Sequence, residues 1–120
     1  MAKSRKKPAA AAWNNSLDED AVREAFAEAT VDAFGDSEQH VGLFHTIEQE
    51  LEFPFPGRVI GENVSVVGVE WPDKHEFGID LICERKGEQH RVEACSVELL
   101  EPLPEGHLFL AAYLQWRRFV

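Results

Sequence analysis

The spacing of apolar residues changes twice along the chain, and these changes separate two helical regions from a β region between them. Between residues 16 and 52, apolar residues recur every three or four positions, as on one face of an α-helix. From Gly57 to Leu100 they tend to alternate with polar residues, as on one face of a strand. Helical spacing returns at Leu108 to Trp116. The pattern therefore predicts an α+β fold.

The first helical region predicts two helices joined by a short turn. Ser16 is placed to cap the first helix, with Glu19 returning the hydrogen bond as a capping box, and Gly35 is placed to end it. Asp36 or Ser37 is placed to cap the second helix, which the sequence FPFP ends. The residues expected to be buried are Val22, Ala25, Phe26, Ala29 and Ala33 in the first helix, and Val41, Phe44, Ile47 and Leu51 in the second.

The β region predicts four or five short antiparallel strands. They are expected at Arg58–Ile60, Asn63–Trp71, Phe77–Arg85 and Gln89–Leu100. A two-residue turn at Lys86-Gly87 predicts the register of one hairpin. It pairs Arg85 with Glu88, Cys83 with His90, Leu81 with Val92, and Asp80 with Glu93. We expect the N-terminal helix pair to pack on a small antiparallel SH3-like β-barrel or half-barrel, followed by a C-terminal helix.

Acidic residues outnumber basic ones, and the imbalance lies outside the N-terminus. The chain has 12 Lys and Arg against 22 Asp and Glu. Four of the 12 basic residues lie in the first seven positions, so the remaining eight against 22 acidic residues leave a formal charge of −14 on the rest. This charge repels nucleic acids and anionic membranes, and it attracts cations or basic proteins. Solubility alone is the alternative explanation.

Composition predicts a basic tail followed by one domain. Residues 1–15 combine basic residues, a proline and an alanine run without apolar periodicity, so we expect them to be disordered. Residues 16–120 are long enough for a single core. No apolar run approaches the roughly 18 residues of a membrane span, and no signal-peptide core is present. We expect a cytoplasmic protein.

Familiar catalytic and metal-binding motifs are missing from the sequence. There is no glycine-rich phosphate loop, no nucleophile elbow and no HExxH pair. Asp73–Glu84 has part of the spacing of an EF-hand loop, but His and Phe stand where oxygen ligands belong. A zinc site from Cys83, His90 and Cys95 is disfavoured, because the hairpin register puts Cys95 on the opposite face. We expect no enzymatic activity.

Carboxylates gather at places where reversal of the chain can bring them together. Asp32, Asp36 and Glu38 flank the turn between the two helices, where helix-end carbonyls add oxygen ligands. Asp80 opposite Glu93 is a like-charge pair that a cation or a wider spacing would relieve. Exposed surface is the alternative explanation, because surface carboxylates are common. A second group near the end of the second helix consists of Glu48, Glu50 and Glu52, with Glu62 after the next turn.

One segment of the chain is similar to a known family. The sequence VDAFGDSEQHVGLFHTIEQELEFPF, followed by a Gly-Glu-x-Val-x-Val-x-Gly pattern, resembles the cyanobacterial calcium-binding protein family of the CcbP type. The resemblance covers about residues 28–120. It implies a small acidic bacterial protein that binds Ca²⁺ without EF-hands and buffers or signals calcium. Among the matching positions, Asp32 and Glu38 carry charged oxygens.

Two functional hypotheses follow. The first is binding of calcium ions, with Asp32, Asp36, Glu38, Glu48, Glu52 and Glu62 as the predicted metal ligands. The second is an acidic SH3-like interaction module that binds a basic or proline-rich protein. Its acidic face and exposed aromatic residues, such as Trp71 or Trp116, would contact that partner.

Overall fold

A computed structural model describes residues 13–120, which form three α-helices and one five-stranded sheet. The helices are α1 (Glu19–Ala29), α2 (Asp36–Glu50) and α3 (His107–Arg117). The strands are β1 (Phe55–Val59), β2 (Glu62–Glu70), β3 (Asp80–Arg85), β4 (Glu88–Glu93) and β5 (Glu98–Leu99). The helix predicted near the C-terminus is therefore confirmed as α3.

The sheet is an antiparallel meander to which the last strand returns. Strands β1 to β4 pair in sequence, and β5 pairs with the free edge of β1, giving the order β4-β3-β2-β1-β5. Within residues 13–120, β4 and β5 are the two edges, so the sheet is open. The α+β architecture with an N-terminal helix pair and a C-terminal helix is confirmed. Of the two sheet forms expected, the closed barrel is not the one present.

The hairpin of β3 and β4 has the predicted register at every pair. Lys86 and Gly87 have φ of 54° and 80°, the positive values that a two-residue type I′ turn requires. Arg85 lies opposite Glu88 at one end, and the ladder runs to the pair of Asp80 and Glu93 at the other. A shift by one residue would turn every side chain to the other face, so this turn determines which residues face the core.

The first helix differs from the prediction at both ends. The predicted cap at Ser16 is wrong, because the side chain of Asp18 accepts a hydrogen bond from a backbone N–H of the first turn at 2.9 Å. The predicted end at Gly35 is also wrong, because α1 ends at Ala29 with Thr30 as its C-cap. Gly35 instead precedes the first residue of α2, with φ of 93°.

In the second helical region, three of the four residues expected to be buried are buried: Phe44, Ile47 and Leu51. Val41, predicted to be buried, is 42% exposed, whereas His40 is 3% exposed. Gly42 allows α2 to approach α1 closely, since a Cβ at that position would overlap the carbonyl oxygen of Ala29. The buried residues of α2 are His40, Leu43, Phe44 and Ile47.

The core lies between the helices and one face of the sheet. Its largest fully buried side chains include Tyr113, Leu43, Ile47, Ile79, Leu81 and Leu110. The single strand predicted at Gln89–Leu100 is wrong, because a 3₁₀ turn at Ala94–Ser96 separates β4 from β5. Glu93 caps this turn, since its carboxylate accepts a hydrogen bond from the Cys95 N–H at 3.1 Å.

Residues 1–12, which hold most of the predicted tail at 1–15, lie outside the described residues. Within the described part, Trp13 is partly buried against the core. None of the helices between residues 13 and 120 is both long and apolar enough to cross a membrane.

Candidate functional site

Three of the predicted ligands lie around the link between α1 and α2, and we call them the turn carboxylates: Asp32, Asp36 and Glu38. All three are exposed. Asp32 has φ of 64°, a left-handed conformation that Asp tolerates better than most residues. Asp36 is the first residue of α2, where the positive end of the helix dipole favours a carboxylate.

Glu38 is held in place by a backbone group of the link that precedes its helix. Its Oε1 accepts a hydrogen bond from the N–H of Phe34 at 2.7 Å, so the side chain points back over the link. Glu38 and Asp32 line one shallow surface depression of about 530 Å³, whose lining does not include Asp36. Local structure thus brings two of the three turn carboxylates to one depression.

The remaining predicted ligands are separated from one another. Glu48 lies beside His45, with 3.7 Å between Oε1 and Nδ1. Glu62 pairs with Arg85 at 2.6 Å. Glu52 lies three residues before the start of β1, and Glu62 pairs with the last residue of that strand. The length of β1, about 13 Å, therefore lies between them. The structure therefore does not bring Glu62 and Glu52 together.

The cysteine and histidine residues considered for zinc lie in different surroundings. Cys83 is buried in β3, whereas His90 is exposed on β4. Burial raises the pKa of Cys83 to about 11, which disfavours the thiolate that zinc requires. Within residues 13–120, no three His, Cys, Asp or Glu side chains are arranged to hold a metal ion.

The like-charge pair predicted at Asp80 and Glu93 is relieved by protein groups. Asp80 accepts a hydrogen bond from Arg91 Nε at 3.2 Å. Glu93 turns to other donors, accepting the Ile79 N–H at 3.1 Å and the Tyr113 O–H at 2.6 Å. Neighbouring side chains and backbone amides thus supply the compensation that a bound cation would otherwise give.

These hydrogen bonds set the ionisation of the groups around Glu93. Burial raises the pKa of Glu93, but hydrogen bonds from Cys95, Tyr113 and Ile79 outweigh it and hold that pKa below its usual value. Burial, and next the hydrogen bond to Glu93, raise the pKa of Tyr113 far above its usual value. The same two causes raise the pKa of Cys95 to about 12. The cluster holds one carboxylate charge surrounded by donors.

The comparisons with known proteins concern the fold. No protein-family model matches the chain, and no curated protein matches it in sequence. Solved structures do match. The fold resembles that of CcbP from Anabaena. The likeness has a TM-score of 0.66 and 22% identity, and covers 85% of this chain and 94% of that one. A calcium-binding protein in its calcium-binding form also matches, with a TM-score of 0.59 and 19% identity, over 90% of this chain and 93% of that one.

The resemblance inferred from the sequence is therefore confirmed at the level of the fold. Within this CcbP-like fold, the sequence did not reveal the cluster around His40. Its ring lies 4.5 Å from that of Trp71 and 5.8 Å from that of Trp116, and its Nε2–H donates to the Gly78 carbonyl at 2.6 Å. Helical spacing from Leu43 and Ile47 was the available signal for burial of His40.

The aromatic residues proposed to contact a partner differ in exposure. Trp116 is 8% exposed, and its Nε1–H donates to Gln39 at 2.9 Å, so its predicted exposure is wrong. Trp71 is 46% exposed, but one face of its ring covers His40.

Proposed function

We propose that this protein binds calcium ions, and that it buffers or signals calcium. The observation that carries the proposal is the fold, which is similar to that of a calcium-binding protein solved in its calcium-binding form. Fold alone does not specify function. The proposal therefore also needs chemistry suited to Ca²⁺ on this chain's own surface.

The turn carboxylates supply that chemistry best. Calcium takes six to eight oxygen ligands in flexible geometry, and water and backbone carbonyls complete such a shell. Glu38 uses Oε1 to accept the Phe34 N–H, which orients the side chain and leaves Oε2 for a cation. Asp32 lines the same depression, and Asp36 lies between them in sequence as the first residue of α2. Since no three carboxylates between residues 13 and 120 are already gathered around one point, we propose that the exposed side chains of Asp32, Asp36 and Glu38 turn toward the ion as its main ligands.

A weaker second location is proposed at the end of α2. Glu48 and Glu52 are exposed there, and both lie close to the helix C-terminus, where backbone carbonyls lack helical partners. Glu62 lies at the other end of β1 from this location and already pairs with Arg85 at 2.6 Å. We therefore rank Glu62 last among the six proposed ligands.

Isothermal titration with calcium, and separately with magnesium, tests the proposal. The double variant Asp32→Asn with Asp36→Asn removes two charges while keeping the hydrogen bond of Glu38 to Phe34. Asn also tolerates the left-handed conformation of residue 32. We expect calcium affinity to fall by about tenfold, which corresponds to about 1.4 kcal/mol.

The matched control is Glu84→Gln with Glu88→Gln, which removes the same charge from the β3–β4 hairpin. This variant should change calcium affinity less than about twofold, since charges at a distance are screened by salt. Equal losses of calcium affinity in the two double variants would show that calcium responds to the overall negative charge and not to the turn carboxylates. A titration of the unsubstituted chain without heat at millimolar calcium would contradict calcium binding itself.

A further inference from the structure

A groove separate from the turn carboxylates runs between α1 and two proline-containing loops. Its lining comes from one face of α1, from residues 52–56 and from residues 102–109, and it encloses about 730 Å³. Volumes of about 300–1,000 Å³ are typical of ligand sites. We call this feature the proline groove.

The proline groove is built from segments that hold one another in place. The N–H of Glu52 donates to the carbonyl of Glu105 at 3.0 Å, which joins the two loops. Gly106 has φ of 88°, and a Cβ there would overlap the carbonyl oxygen of Glu50. His107 donates through Nδ1 to the carbonyl of Pro104 at 2.8 Å. A groove formed before binding loses little conformational entropy when a ligand enters.

Apolar side chains form much of the wall of the proline groove. Phe53 stacks on Phe55 with 5.7 Å between ring centroids, and Phe53 is partly accessible. Leu103, Leu108 and Phe109 are also partly buried there, so part of each side chain faces the groove. Four prolines lie along it, at positions 54, 56, 102 and 104. Grooves lined by aromatic side chains are the surfaces on which extended, proline-rich peptides dock.

The rim of the proline groove is acidic. Glu24 and Glu28 are one turn apart on α1, and Glu52 and Glu105 come from the loops. All four are exposed, and no Lys or Arg lines the groove. Among residues 13–120, none of the four makes a side-chain ion pair. Like charges at positions i and i+4 of a helix repel, and a cationic ligand would relieve that repulsion.

We propose that the proline groove docks an extended segment of a partner protein in which arginine or lysine residues flank a Pro-Leu-Pro-like apolar sequence. The aliphatic stem of an Arg or Lys side chain packs on apolar walls while its charged end reaches carboxylates at the rim. A hydrated metal ion makes no use of the apolar walls, and a wholly apolar ligand makes no use of the rim. This occupant matches both parts of the groove.

Fluorescence anisotropy with a labelled peptide of sequence ARPLPRA tests the proposal. The full chain is titrated at moderate salt with a calcium chelator present, so the result does not depend on the proposed calcium site. We expect saturable binding with a Kd of about 10–100 µM, as for a weak transient interface. The peptide AEPLPEA should not bind, and ARPSPRA should bind at least about fivefold more weakly.

Two double variants of the protein locate the site. Glu24→Gln with Glu28→Gln removes rim charges from exposed positions and should raise the Kd about tenfold. The matched control, Glu76→Gln with Glu88→Gln, removes the same charge from exposed positions outside the groove and should raise it less than about twofold. Thermal melting checks that both variants fold.

Several outcomes would overturn the proposal. Absence of saturable binding by ARPLPRA would do so, as would equal weakening by the two double variants. Displacement of the peptide by stoichiometric calcium at constant ionic strength would assign the groove to a metal. Loss of peptide binding as the protein self-associates with rising concentration would assign it to a second copy of the chain.

Discussion

The cluster around Glu93 and the rim of the proline groove hold the same chemical group in opposite surroundings. Glu93 accepts hydrogen bonds from Ile79, Cys95 and Tyr113, and its pKa is held below its usual value. Glu24 and Glu28 face solvent, without an ion pair among residues 13–120. The carboxylate of Glu93 therefore joins three parts of the fold through hydrogen bonds. The carboxylates of Glu24 and Glu28 remain accessible to a ligand.

This difference separates stability from binding. A half-buried carboxylate that satisfies several donors contributes to folding, and its loss leaves those donors without an acceptor. Exposed carboxylates contribute little to folding and can even oppose it through repulsion. Substitutions at the two places should therefore have effects of different size and of opposite sign on stability.

The largest effect is expected for Glu93→Gln. The amide keeps one acceptor oxygen but turns an NH₂ group toward a donor, so the free energy of unfolding should fall by about 1–3 kcal/mol at pH 7. Urea denaturation at pH 7 measures this free energy of unfolding. Glu84→Gln is the control, because Glu84 lies half-buried on β3, and its effect should stay within about 0.5 kcal/mol. Equal effects of the two substitutions would contradict a special role of Glu93 in the stability of the fold.

A pH series should show that the contribution of Glu93 depends on its charge. The pKa of Glu93 is lowered in the folded state from an ordinary value of 4.5, so its stabilising contribution is complete above that pH. The contribution is lost as the pH falls through the lower folded-state pKa. The difference in unfolding free energy between the unsubstituted chain and Glu93→Gln should therefore shrink as the pH falls from about 5 to about 3. A constant difference across this range would contradict the assignment.

The smallest effect is expected for Glu24→Gln with Glu28→Gln. Removing this like-charge pair one helical turn apart should raise the free energy of unfolding by about 0.2–0.5 kcal/mol at low salt. The gain should disappear as salt is added, because screening removes repulsion between exposed charges. Urea denaturation at low and high salt measures both values. A loss of stability at low salt would instead show that Glu24 and Glu28 stabilise the fold.

The sequence by itself determined the local elements of this protein. The β3–β4 register follows from Lys86-Gly87, because a two-residue turn with positive φ allows one pairing of the strands. Helices α2 and α3 follow from apolar periodicity, and the FPFP sequence places the exit of α2. The grouping of Asp32 with Glu38 beside one link was likewise readable, since six positions separate them. Each of these features depends on residues close together in the chain.

Only the tertiary structure decided the surroundings of the side chains. Gly42 packs against the backbone of Ala29, and Val41 beside it is exposed although its spacing predicts burial. Glu93 finds donors 14 and 20 positions away, in Ile79 and Tyr113. The proline groove joins glutamates from α1 to loops that lie far along the chain. Periodicity and turn chemistry specify backbone conformation over a few residues, whereas the partner of a side chain depends on how distant elements pack.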